Sequence, residues 1–147
     1  MTNAVSPRAA PEIGIVLYPG VQPAAVHGLT DLFRVADTLG LGQDPAAGRL
    51  RTTHWRPGSS AGPGEACVFD SLPGTPPRPA VLILPPTMVD LPAPEANAAL
   101  ARWLGERHAT GVTLVSVCSG IYLLAATGLL DRRAASTHQS FATTLAA

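Results

Sequence analysis

A cysteine at the end of a predicted strand is the residue of this chain best suited to chemistry. Cys118 follows an apolar, β-branched run at 112–117 and precedes two small residues, Ser119 and Gly120. A strand that turns sharply into a helix, with a nucleophile at the corner, is the geometry of a nucleophile elbow. Small residues after the corner let the backbone turn, and the N–H groups of a helix start can bind an oxyanion.

A histidine is available to activate this thiol. His138 lies twenty positions after Cys118, and a histidine brought beside a cysteine is the minimum pair for an activated thiol nucleophile. The dipole of the helix start also favours the thiolate. The structural alternative is a small buried cysteine on a core strand, because free cysteine is among the most buried residue types. The spacing alone leaves both interpretations open.

The elements that must position Cys118 alternate along the chain. Strands are predicted at 13–18, 50–55, 80–84 and 112–117, with short ones around 66–69 and 132–137. Helices are predicted at 26–39 (ended by Gly40), 94–108, 121–126 and from 139 onward. Apolar strands that alternate with helices predict an α/β fold with a doubly wound, mostly parallel sheet of the flavodoxin-like kind.

Three loops should converge on the elbow, since sites in such sheets form at the carboxyl ends of the strands. They are residues 19–22, 85–88 and 118–120. Tyr18, Gly20 and Thr87 are therefore candidate pocket residues, and His27 is a further one.

The remaining candidates have simpler interpretations. His54 and His108 show no metal-type spacing and are predicted to be surface or loop histidines, and Cys67 a core or loop thiol. No metal site is expected. There is no Gly-x-Gly-x-x-Gly sequence and no phosphate-binding loop, so no cofactor is expected.

Composition limits the class of protein. The 147 residues are 46% hydrophobic and 14% charged, which predicts one folded domain with a sizeable core. The net charge is zero, all ten basic residues are arginines, and no basic run exceeds two. No direct nucleic-acid binding by this chain is expected. Two cysteines are too few for a disulfide framework, so a reduced, cytoplasmic location is expected.

One segment has the length of a membrane span. Residues 111–130 carry no charge, but their first half is β-branched and the Cys-Ser-Gly corner and Gly128 interrupt them. A buried strand–helix unit fits better than a transmembrane helix, and no membrane partner is expected. Residues 1–11 have no apolar core and are interpreted as a flexible tail, so the domain is placed at 12–147.

Four sequence blocks together resemble the ThiJ/PfpI superfamily, which has the class I glutamine-amidotransferase-like fold. They are LYPGV at 17–21, LPPT at 84–87, VCSG at 117–120 and ATGLLDRRAASTH at 126–138. The resemblance runs from residue 13 to the last one, and its most specific part is 118–138. Within the superfamily the chain is most similar to the ligand-sensing domains of AraC-type transcription regulators, and isonitrile hydratase shares much of the pattern.

The resemblance implies a role for each matching residue. Cys118 takes the place of the nucleophile, the Ser119 N–H that of an oxyanion donor, and His138 that of the histidine beside the thiol. A second donor would come from the loop after Leu84, where the enzymes usually have Pro-Gly-Gly. Pro86 has no N–H to give, and Thr87 retains one.

A second departure from the enzymes concerns their acid. Catalytic members carry a Glu or Asp in the loop after the first strand, and that position falls on Ala25; the next carboxylate is Asp31. General acid–base help is worth about 10²–10⁴ in rate, so its absence favours a sensor of a small-molecule effector over a hydratase. A hydrolase or hydratase that uses Cys118 is the alternative hypothesis. A dimerising or redox-sensing domain without catalytic activity is a third hypothesis.

The length also departs from the family. Members normally continue for a few dozen residues past the Thr-His pair, and the regulators then add a helix-turn-helix domain. The expectation is a domain incomplete at its carboxyl end, without the DNA-binding domain and with a homodimer as a possible assembly.

Overall fold

The alternation of strands and helices is present in this computed structural model, which describes residues 11–44, 48–58, 66–88 and 94–145. In chain order the elements are β1 (Glu12–Val16), α1 (Pro23–Gln43), β2 (Arg51–Arg56), β3 (Ala66–Asp70), β4 (Val81–Leu84), α2 (Pro94–Ala109), β5 (Thr113–Ser116), a 3₁₀ turn (Cys118–Gly120), α3 (Ile121–Ala125) and α4 (Gln139–Leu145).

The five strands form one sheet in the order β3-β2-β1-β4-β5. β1 pairs in parallel with β2 and β4, β4 pairs in parallel with β5, and only β3 runs antiparallel, on β2. The predicted α/β class and mostly parallel sheet are therefore confirmed, and the arrangement is consistent with a flavodoxin-like fold. The chain winds in one direction through α1 and in the other through α2, so the strand order reverses between β1 and β4. That reversal is where ligand crevices form in open α/β sheets.

The two long helices lie on opposite faces of the sheet. Neighbouring side chains of a strand point to opposite faces. His54 contacts Thr30 of α1, whereas the ring centroid of Trp55 lies 6.5 Å from that of Trp103 on α2. The main core is on the α2 face, where side chains of β1, β2 and β4 pack against α2 and α3; its fully buried members include Val16, Leu82, Leu84, Leu104 and Leu123.

The first helix is longer than its predicted bounds of 26–39. It begins at Pro23, a residue suited to a first helical position, and passes Gly40 to end at Gln43. The prediction that Gly40 ends the helix is wrong, because a glycine inside a helix costs only about 1 kcal/mol. Three of the apolar side chains that define its periodicity point away from the sheet: Leu32, Val35 and Leu39 are more than half exposed.

The segment after α3 contains turns where a strand is predicted. Residues 132–137 form no strand, so that prediction is wrong. Gly128 and Arg132 both have positive φ angles, of 75° and 59°, and left-handed residues reverse the chain instead of extending it. The Arg133 N–H donates to the Leu130 carbonyl at 2.9 Å, which closes one of these turns. The predicted helix from 139 is confirmed as far as Leu145.

The uncharged segment 111–130 is divided among β5, the 3₁₀ turn, α3 and the turns that follow. Across the described ranges, no helix combines the length and apolarity that crossing a bilayer requires. The predicted tail lies outside the described residues, apart from Pro11.

A buried charged network ties the sheet together at the amino ends of β1 and β2. Arg51 donates from Nε to Asp70 at 2.9 Å and from Nη2 to the Thr75 carbonyl at 2.7 Å, and its Nη1 lies 3.5 Å from Glu12. Thr53 donates to the second oxygen of Glu12 at 2.9 Å. These charges are at the edge of the sheet opposite to Cys118, and every one of them is paired.

Candidate functional site at the carboxyl edge of the sheet

Cys118 is held at a sharp corner between β5 and the 3₁₀ turn. Its φ angle is +50°, and it is exposed. A left-handed conformation is uncommon for a residue with a side chain and persists where the surroundings impose it. Val117 before it is extended, and Gly120 two residues later is already helical. The predicted strand–cysteine–helix corner is therefore present, with the thiol at the surface and not in the core.

Gly120 explains how the corner comes so close to the neighbouring strand. It is buried against the end of β4, where a Cβ atom at this position would lie 2.9 Å from the Pro85 carbonyl oxygen. It would come closer still to the Leu84 carbonyl oxygen. Because these are backbone atoms that cannot swing away, only glycine fits. Gly120 is thus a packing residue that sets the position of Cys118.

The three loops predicted to converge do meet at this edge. Val21, after β1, forms an isolated antiparallel bridge with Thr87, after β4. The Gln22 N–H donates to the Pro86 carbonyl at 2.8 Å, and the Thr87 hydroxyl donates to the Gly20 carbonyl at 2.7 Å. Gly20 has a φ of 83°, a conformation that glycine adopts freely. The β1 and β4 loops are thereby joined directly beside the topological switch.

Ser119 joins the elbow to the loop after β4. Its hydroxyl accepts the Thr87 N–H at 2.9 Å and lies 3.3 Å from the Thr87 carbonyl, to which it donates. The side chain is buried. The Thr87 N–H, expected to be the second oxyanion donor, is therefore already bonded inside the protein. Outside the 3₁₀ turn, the described residues supply no acceptor for the Ser119 N–H, so this donor is available to a ligand.

Tyr18 is a core residue that supports the loop after β4, and it does not line an open pocket. Its ring is buried in the core on the α2 face, and its hydroxyl donates a short hydrogen bond to the Pro85 carbonyl. Burial raises the pKa of this phenol to about 12, because the phenolate would be poorly solvated. Tyr18 is a neutral donor that holds the β4 loop, and it is unsuited to proton transfer.

The position at which the resemblance places a catalytic Glu or Asp lies in the first turn of α1. Ala25 is half-buried there, and its N–H donates to the Gln22 carbonyl at 3.1 Å. Asp31 lies two turns further along α1 and lines a different cleft, described below. His27 is exposed on the same helix. No described carboxylate makes a hydrogen bond to Cys118.

His138 lies just before α4, in a segment without regular structure, and its side chain is exposed. Cys118 makes no hydrogen bond to His138 among the described residues. The elbow is thus built from the three loops, and the pairing of Cys118 with His138 stays a prediction. The hydroxyl of the adjacent Thr137 is buried and has no hydrogen-bond partner among the described residues.

The prediction that His54 is a surface or loop residue is wrong. His54 lies on β2, is 8% exposed and packs against the Phe69 ring at a centroid distance of 4.5 Å. Its Nε2 is 2.8 Å from the Thr30 hydroxyl, which itself donates to the Val26 carbonyl. Because that hydroxyl proton is used, the Thr30 oxygen accepts from Nε2, which therefore carries a proton. Burial lowers the pKa of His54, and the nearby His27 lowers it further.

The other candidates are peripheral. His108 lies near the end of α2, with Nδ1 3.1 Å from the Val112 carbonyl. Cys67 is half-buried on β3, where its thiol donates to the Phe69 carbonyl at 3.1 Å, and burial raises its pKa. Within the described ranges, no group of three or more His, Cys, Asp or Glu side chains is placed to hold a metal ion.

Sequence reasoning missed two features of this site. One is the Ser119–Thr87 contact, which joins residues 32 positions apart. The other is the buried His54–Thr30 pair. No local pattern indicates which residue Ser119 or His54 contacts. The position of His54 inside a predicted strand was, however, a signal for its burial. The chain matches no family model, no curated protein and no solved structure.

Proposed function

We propose that this chain is a ligand-sensing domain of the ThiJ/PfpI type, with a class I glutamine-amidotransferase-like fold, as found in AraC-type transcription regulators. The observation that carries the proposal is the Ser119–Thr87 contact, which occupies the expected second oxyanion donor beside the exposed Cys118. In regulators of this type a helix-turn-helix domain reads the DNA, and the proposal here concerns effector binding alone. Cys118, the Ser119 N–H and the β1 and β4 loops would contact a small-molecule effector.

Three observations favour binding over turnover. The Thr87 N–H is engaged by Ser119, so a two-donor oxyanion hole is not preformed. Ala25 replaces the carboxylate that the enzymes use. Cys118 lacks a hydrogen bond to His138 among the described residues. Each of these groups would be needed to activate the thiol or to stabilise a charged intermediate.

The alternative is a hydrolase or hydratase that uses the Cys118 thiolate. The specific observation in its favour is the strained φ of +50° at an exposed nucleophile, because strain of this kind clusters at active sites. It requires His138 to approach the thiol on substrate binding and the Ser119–Thr87 contact to open.

One experiment separates the two functions. The full chain is incubated with a library of small metabolites, and alkylation of Cys118 by iodoacetamide is followed by peptide mass spectrometry, with Cys67 as the internal control thiol. We expect an effector to slow alkylation of Cys118 and not of Cys67, and to be recovered unchanged.

If the wild-type chain consumes a compound that Cys118→Ser does not consume, the sensor function is contradicted and the enzyme function is supported. Cys67→Ser should behave as the wild type in both cases. If every compound leaves the alkylation of Cys118 unchanged and none is consumed, both functions are contradicted at this site.

A further inference from the structure

A second cleft, of about 490 Å³, lies on the α1 face of the sheet. It runs between α1 and the β2–β3 pair, and its lining includes Asp31, Arg34, Thr52, Phe69 and Ser71. Thr52 is the second residue of β2, so the cleft opens near the amino ends of the strands, away from Cys118 at their carboxyl ends. Its volume is within the range of about 300–1,000 Å³ typical of small-molecule sites.

The charges that line the cleft divide into paired and unpaired groups. Asp37 accepts hydrogen bonds from Arg49 at 2.8 Å and from the Leu50 N–H at 2.7 Å, and Asp70 is held by Arg51. Asp31 and Arg34, by contrast, make no side-chain hydrogen bond or ion pair with any described residue. The cleft therefore offers one carboxylate and one guanidinium to a ligand, with no net charge.

A hydroxyl that lines the cleft also has no partner within the described part of the chain. Thr52 is only 3% exposed and lines the cleft, yet its Oγ1 has no hydrogen-bond partner among the described residues. Among the described residues, Thr137 alone has a buried side-chain oxygen without a partner, so the Thr52 oxygen is accessible from the cleft. A polar ligand group at the floor of the cleft would satisfy this hydroxyl.

We propose that this cleft binds a free α-amino acid as its zwitterion. Arg34 would take the carboxylate through its paired N–H groups, Asp31 the ammonium group, and Thr52 would donate to the carboxylate. The side chain of the amino acid would lie on the apolar wall that Phe69 and Leu50 supply, where Phe69 is 40% exposed. The site shares no residue with the Cys118 elbow, so it does not depend on the function proposed there.

The test titrates the full chain with glycine, L-leucine, L-glutamine, L-arginine and L-phenylalanine up to about 10 mM, a range that detects millimolar dissociation constants. Backbone amide shifts are followed by NMR. We expect at least one amino acid to give saturable shifts at Thr52 and Ser71. For that amino acid, the matching acid without the amine, and the amine without the acid, should bind at least about tenfold more weakly. Absence of saturable shifts with all five, or equal affinity for a singly charged analogue, would overturn the proposal.

Variants connect the binding to these residues. Arg34→Gln and Asp31→Asn should each raise the dissociation constant about tenfold, whereas Arg102→Gln, an exposed change on α2, should leave it unchanged. Thr52→Val should weaken binding without lowering the melting temperature, because the hydroxyl it removes has no partner in the free protein. Wild-type affinity in Arg34→Gln would also overturn the proposal.

Discussion

Cys118 adopts a backbone conformation that residues with a side chain reach only at a cost of about 1–3 kcal/mol. Its φ of +50° is imposed from both sides, by the parallel pairing of β5 and by the close approach of Gly120 to the end of β4. Ser119, between them, is tied to Thr87 in both directions. The three residues of the elbow thus have different roles. Cys118 faces solvent, Ser119 holds the β4 loop and Gly120 allows close packing.

Replacing Gly120 with alanine should destabilise the chain by about 3 kcal/mol, at the upper end of the cost of overpacking. The added Cβ meets backbone oxygens of Leu84 and Pro85, and neither can rotate away. Urea unfolding followed by circular dichroism measures the change.

Gly105→Ala is the matched control for this variant. Gly105 lies inside α2 with no atom within 4 Å of an added Cβ, so the substitution should stabilise the chain by about 0.5–1 kcal/mol. If Gly120→Ala proves as harmless as Gly105→Ala, the elbow does not pack against β4 as described.

His54 should make the stability of the chain depend on pH. Burial, followed by the charge of His27, lowers its pKa below the ordinary value of 6.5. As the pH falls through 6.5, the unfolded chain therefore takes up a proton before the folded chain does, and the unfolding free energy decreases. The stabilising contribution of neutral His54 is fully present above pH 6.5, and it is lost as the pH falls from 6.5 to the pKa of His54 in the folded state.

This dependence is measured by urea unfolding at a series of pH values between about 7.5 and 5. His54→Gln removes the titrating group and should flatten the curve in that interval, whereas His108→Gln, at an exposed position on α2, should leave the curve as it is. An equal slope in the wild type and in His54→Gln would show that His54 is not the group responsible.

At the scale of elements, the two ends of the sheet are held in different ways. At the carboxyl edge, neutral hydrogen bonds such as that from Tyr18 to Pro85 join the loops. At the amino edge, buried charges join β1, β2 and β3 through Arg51. At the carboxyl edge, a ligand can rearrange loops that have no regular structure. At the amino edge, ion pairs between strands resist such a change.

Arg51→Gln should cost about 3 kcal/mol of unfolding free energy, because removal of one partner leaves Glu12 and Asp70 uncompensated in a buried setting. The Arg51 side chain is 8% exposed, and those of Glu12 and Asp70 are 5% and 20% exposed. Chemical denaturation gives the difference from the wild type.

Arg49→Gln is the control, since it breaks the ion pair with Asp37 on a side chain that is 55% exposed. Exposed pairs contribute about 0–1 kcal/mol. Losses of equal size in the two variants would contradict the role given to burial in the Arg51 network.

For the whole molecule, the strand order places β1, β2 and β4 inside the sheet and β3 and β5 at its edges. Within the described residues β5 has one neighbouring strand, and Val115 on β5 and Val117 directly after it are more than one-third exposed. Parallel sheets are usually covered on both faces. The elbow therefore follows an edge strand, whose surroundings a ligand or a second copy of the chain would change.

Amide hydrogen exchange should follow this order. We expect the slowest exchange in β1, β2 and β4, which are paired on both sides, and faster exchange in β3 and β5, because edge strands open at lower free energy. Exchange read residue by residue in NMR spectra provides the measurement. Protection of β5 equal to that of β1 would contradict an edge position in solution and would indicate pairing with a second copy.

Local pattern was enough to predict the element types, the mostly parallel sheet, the corner at Cys118 and the convergence of the three loops on one edge. These properties follow from hydrophobic periodicity and from the rule that parallel strands end together. The tertiary structure alone decided that Ser119 occupies the Thr87 N–H, that His54 is buried against Thr30, and that three apolar residues of α1 face solvent. Each of these depends on contacts between residues far apart in the chain, or on their absence, and a local pattern does not encode which distant partner packs against it.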